Sequence, residues 1–146
     1  MRRAEGLELP AFFNYYDTPV KVVGTPGGGM LAWKLVKETG GWQSADRLID
    51  KILLVGGDDV ESLSRNEFIE LTEYERGRHL RGSGPVFALY ETVSAIIDTL
   101  TRERRYPTPE ETALIRGIHQ KTFVMFEEEL QRAGEAGADP LLADSR

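Results

Sequence analysis

The most regular recurrence of apolar positions lies between Pro85 and Ala133. From Pro85 to Arg105, the residues Val86, Leu89, Tyr90, Val93, Ile96, Ile97 and Leu100 are spaced by three and four, the stripe of an amphipathic helix. Glu91, Ser94, Asp98, Thr99, Arg102 and Glu103 largely fill its other side. A second stripe, Ile115, Ile118, Thr122, Phe126 and Leu130, predicts a helix from Pro109 to Ala133, widened by Leu114, Phe123 and Met125. Thr108 can cap it, Pro109 suits the first helical position, and Glu111 completes a capping box. The short connection Tyr106-Pro107-Thr108 predicts an antiparallel pair, with Val93, Ile96, Ile97 and Leu100 facing Ile115, Ile118, Phe126 and Leu130 as the core.

Upstream the periodicity changes. Phe12, Phe13, Tyr15 and Tyr16 lack helical spacing and predict an extended arm or edge strand within residues 1–16. Val20-Lys21-Val22-Val23 and the run from Met30 to Val36 are strand-like, giving a hairpin over about residues 20–36. The glycine-rich stretch between them, Gly24-Thr25-Pro26-Gly27-Gly28-Gly29, lacks the lysine and hydroxyl of a phosphate-binding loop and is followed by strand-like residues. A hairpin loop that needs positive φ is therefore expected. Trp42 begins a third strand or covers the sheet edge. Ala45, Leu48, Ile49, Ile52 and Leu53 have helical spacing behind Ser44, although the end of that run, Ile52 to Val55, also suits a strand. Ser64 and Glu67 form another capping box, opening a helix expected to reach about Arg76, where Gly77 weakens it. The fold class expected is α+β: a small antiparallel N-terminal sheet packed on a mainly helical C-terminal part. Residues 1–136 form a single domain, and residues 137–146 a tail with the apolar handle Leu141-Leu142.

Composition narrows the chemistry. The 146 residues include no cysteine, which excludes disulfides, thiolate nucleophiles and cysteine-held metals. The net charge of −6 argues against non-specific nucleic-acid or membrane binding, both of which need a basic face. No apolar run approaches the roughly 20 residues of a membrane span, and Met1-Arg2-Arg3 lacks the apolar run of a secretory leader, so a cytoplasmic protein is expected. Asp58, Asp59 and Glu61 fail the calcium-loop template, with Leu63 at the sixth position and Ile69 at the twelfth. Neither His79 nor His119 has helical metal-ligand spacing, and a pair of His119 with Glu75 or Glu91 would have to form in space. Glu127-Glu128-Glu129 reads as a solvated helix face.

One segment suits an anion. Arg76, Arg78, His79 and Arg81 precede the helix start at Pro85 among glycines, and guanidinium groups with helix N–H groups bind phosphate or carboxylate. The competing explanation is a solvated connection whose arginines pair with nearby acids. No nucleophile elbow or dinucleotide fingerprint occurs, and no cofactor is expected. The chain is therefore expected to be a non-catalytic protein-binding module, an accessory subunit, adaptor or inhibitor. Its contacts to a protein partner or a further copy would run through Phe12, Phe13, Tyr15, Tyr16, Leu141 and Leu142. The alternative is a phosphate- or nucleic-acid-binding protein, or a small enzyme, using Arg76 to Arg81.

Overall fold

A computed structural model describes residues 8–52 and 60–143. Five strands, β1 (Ala11–Tyr15), β2 (Thr18–Gly24), β3 (Met30–Leu35), β4 (Trp42–Ser44) and β5 (Val60–Leu63), form one antiparallel sheet in the order β4-β3-β2-β1-β5. The helices are α1 (Leu48–Asp50), α2 (Arg65–His79), α3 (Pro85–Glu103) and α4 (Pro109–Arg132), followed by a 3-10 turn at Pro140–Ala143. The small N-terminal sheet on a mainly helical C-terminal part is the architecture the pattern predicts.

The strand period of two sets the two faces. Phe12, Leu35 and Trp42 point to the helices and meet Phe68, Ile69, Phe123 and Leu142. Phe13, Val20, Val22 and Ala32 point to the other side and meet Leu9 and Ala45, with Leu48, Ile49, Ile52 and Val60 packed around them. The aromatic segment is thus neither arm nor edge. As β1 it pairs with β2 on one edge and β5 on the other, while its two faces are covered separately, Phe12 by the helices and Phe13 by the opposite cluster. The β2–β3 hairpin turns through Thr25–Gly28, closed by Gly28 N–H donating to Thr25 O at 3.0 Å, with Gly28 at φ 89°.

The helix boundaries follow their caps. Ser64 and Thr108 each accept from the backbone N–H three residues on, and Glu67 and Glu111 reciprocate. Helix α2 runs past Gly77 to His79, and a Cβ at Gly77 would meet the Tyr90 ring of α3 at 3.5 Å, an ordinary contact, so the glycine does not end the helix. Between Ser44 and β5 the expected helix opens with α1 and helical backbone continues through Lys51 and Ile52, while Leu53 to Asp59 lie outside the described residues. Helices α3 and α4 do pack on each other, but the centre of the core lies elsewhere. Of the eight residues expected to form it, Val93 alone is buried. Ile96, Ile97, Leu100, Ile115, Ile118, Phe126 and Leu130 keep part of their surface open. No helix among the described residues is long and apolar enough to cross a membrane.

Candidate functional site

The same period of two that turns Val20 and Val22 to one face turns Lys21 to the other, into the helices. It lands in a closed cluster of charge. Lys21, Glu73, Arg76 and Glu127 are each at most 1% exposed, two cations and two anions. A buried ion needs full pairing and hydrogen bonding to offset the loss of hydration. Arg76 Nη1 donates to Glu73 Oε2 at 2.7 Å and Nη2 donates to Glu127 Oε2. Its Nε and Nη2 also donate to the Gly40 carbonyl at 3.0 and 2.7 Å. Trp42 Nε1 reaches both oxygens of Glu127 at 3.1 and 3.0 Å, and the Asp139 N–H donates to Glu127 Oε1 at 2.8 Å. Lys21 Nζ donates to the Gly137 carbonyl, stands 3.9 Å from Glu127, and lies 4.3 Å above the Trp42 ring.

Electrostatics divide the two cations. Burial pulls the Lys21 ammonium down from 10.5 to about 8, against the partial opposition of Glu127 and Asp139 and with the help of Arg76. Burial also opposes the charge on Arg76, yet Glu73 and Glu127 outweigh it and raise the guanidinium above its ordinary value. Burial, followed by the adjacent Glu73, pushes the Tyr90 phenol well up, so it stays protonated and donates to Glu73 Oε1 at 2.8 Å. The cluster joins β2, β4, α2, α3, α4 and the tail, and it is closed to any ligand of appreciable size.

Directly over it lies an opening. Phe126 stacks on Arg76, with the guanidinium carbon 4.2 Å from the ring centroid, and its own outer surface is left half-exposed. Together with Val86, Phe87, Met125 and Leu130 it lines a groove of about 470 Å³ between the start of α3 and the second half of α4. Glu128, Glu129, Arg132 and Glu135 stand around the groove. Gly40, at φ 79°, lies beneath the ring, where a Cβ would come within 2.6 Å of Phe126 and 2.8 Å of Leu80.

The residues of the expected anion site are dispersed. Arg76 belongs to the buried cluster. His79 Nε2 bonds Glu75 at 3.1 Å, and Glu75 also faces Lys37 at 3.6 Å. Arg78 and Arg81 do meet, in a depression of about 340 Å³ shared with Tyr90, Ser94 and the acidic Glu91. There Arg78 lies 5.5 Å from the Tyr74 ring centroid, and Arg81 donates to the Leu80 and Arg78 carbonyls.

Among the expected partner contacts, Phe12, Phe13 and Leu142 are in the chain's own core, Tyr15 is half-buried, and Tyr16 and Leu141 are exposed. His119 pairs with Glu70 at 2.8 Å through Nδ1, not with Glu75 or Glu91, because α2 presents Glu70 to that level of α4. Glu127 corrects the expectation of a solvated acidic face. It sits on the same side of α4 as Phe123 and turns inward, while Glu128 and Glu129 remain outside. Lys21, Glu73, Trp42 and Tyr90 had no motif to announce them. The available signal was Lys21 itself, a lysine at an inward strand position between two valines. Among the described residues no group of three or more histidine, aspartate or glutamate side chains is placed to hold a metal ion. No protein family, curated protein or solved structure matches the chain.

Proposed function

We propose that the protein is a cytoplasmic, non-catalytic protein-binding module whose docking surface is the groove between α3 and α4 with the flanking helix surface. The observation that carries this reading is an apolar floor left open on a rigid base. Such a floor, with Val86, Phe87, Met125, Phe126 and Leu130 each only partly covered, is the kind of surface that marks a protein contact. The conspicuous charges, by contrast, are consumed in neutralising one another inside the fold.

The test is capture from lysate of cells that produce the protein, comparing wild type with Met125→Glu. We expect a discrete partner retained by the wild type and lost with the variant at unchanged fold, as judged by circular dichroism. A partner retained equally by both removes the groove from the reading. A second reading, phosphate recognition by Arg78 and Arg81, is favoured by their shared depression and opposed by Glu91 within it. It requires phosphate-ligand binding that weakens as salt rises.

A further inference from the structure

We infer that the occupant of the groove is a basic amphipathic helix of a partner protein. Its apolar side chains would rest on Phe87, Met125, Phe126 and Leu130, and its lysines or arginines would pair with Glu128 and Glu135. The inference rests on the protein-binding reading above and adds the chemistry of the partner. Three features carry it.

The first is charge. Three carboxylates and one guanidinium surround the groove, and the guanidinium is already engaged, Arg132 Nε donating to Glu129 at 3.0 Å. Glu128 and Glu135 are exposed, and they face an approaching ligand with uncompensated negative charge on a chain whose net charge is −6. Complementary charge favours a cationic partner and repels an acidic one.

The second feature is length. The groove follows α4 from Met125 to Ala133, about 12 Å of helix axis. Two turns of an opposing helix match that length, with anchors at i, i+3 or i+4, and i+7. The walls are helices, so the groove offers no strand edge to which an extended peptide could add.

The third feature is rigidity. Arg76 above the buried carboxylates and the close-set Gly40 backbone fix the Phe126 ring from below. The floor needs little ordering when a ligand arrives, which favours affinity.

The probe is a synthetic amphipathic peptide of ~18 residues, about 27 Å as a helix, with leucines on one face and lysines on the other. Its binding is followed by fluorescence anisotropy. The control peptide has glutamate in place of every lysine. Two variants of equal charge change are compared, Glu128→Lys/Glu135→Lys at the groove and Glu38→Lys/Asp98→Lys at exposed positions away from it. We expect the lysine peptide to bind the wild type, the glutamate peptide not to bind, and the groove variant to bind at least about tenfold more weakly. The matched variant should stay within about threefold, and binding should weaken with added salt.

Equal losses in the two variants, or equal binding of the two peptides, overturn the inference. So does a wild-type dimer in sedimentation that the groove variant abolishes, since the occupant is then a second copy. A captured partner that still binds Glu128→Lys/Glu135→Lys but not Met125→Glu overturns the basic helix and leaves the protein-binding reading standing.

Discussion

Lys21 and Arg76 are both cations inside the same cluster, but they stand differently toward it. Arg76 holds two carboxylates and a carbonyl in a fixed fork, and its charge is stabilised there. Lys21 makes one hydrogen bond to a carbonyl and reaches Glu127 only at 3.9 Å, so burial dominates and its ammonium is depressed to about 8. That asymmetry has a sign in the stability profile. Below pH 8 the lysine is charged in both the folded and unfolded chains, and the folded chain carries the full penalty. Between about 8 and 10.5 the native state sheds its proton first, the unfolded state binds more, and stability contributed by this group rises with pH. The drop from 10.5 to about 8 corresponds to about 3 kcal/mol. Urea midpoints measured from pH 7 to 10.5 should therefore show wild type gaining on Lys21→Met as pH rises. Parallel profiles for the two proteins would mean that Lys21 titrates normally.

The elements were legible wherever a local rule fixes them. Thr108-Pro109 with Glu111, and Ser64 with Glu67, gave both helix starts, and the β2–β3 hairpin followed from two strand-like runs around glycines. What stayed hidden was long-range. Nothing near Gly77 in sequence says that Tyr90 will pack on it, and nothing near Glu127 says that Trp42, Arg76 and Lys21 converge there. Strand β5 was missed because only Val60 and Leu63 of its four residues are even half-buried, and it owes its form to pairing with β1. The open groove was invisible for a related reason. A stripe tells that a helix has an apolar side, not how much of it a neighbour covers. Glycines show the same split between local and distant causes. Gly28 at φ 89° has no atom within 4 Å of an added Cβ, so Gly28→Ala should cost only the backbone term, about 1–2 kcal/mol. Gly40→Ala adds the collision with Phe126 and Leu80 and should cost roughly 2–4 kcal/mol. Thermal melts that place the two variants together would show that the turn, rather than the contact with Phe126, selects glycine at position 40.

Taken as a whole, the molecule is a sheet, a helical layer and a closing segment that bridges the two. Residues 137–143 behave as part of the domain: Gly137 accepts from Lys21, Asp139 donates to Glu127, Leu142 enters the core and its carbonyl accepts from Arg65. Truncation after Ala136 should therefore lower the melting temperature by about 10 °C or more, as expected for a loss of roughly 3–5 kcal/mol in a chain of this size. A truncated protein that melts with the full chain would show that the cluster is stable without its final members. The bond from Lys21 to Gly137 spans 116 residues of sequence. A ribosome delivers the lysine long before Glu127 and Gly137, so the first strands of a nascent chain carry an unpaired cation on the face destined for the interior. That face stays wetted by its own charge until Glu127 and the closing segment emerge. The cation that burdens the finished interior is thus hydrated at no cost on the unfinished sheet, and the penalty of its burial arises only when the last segment closes.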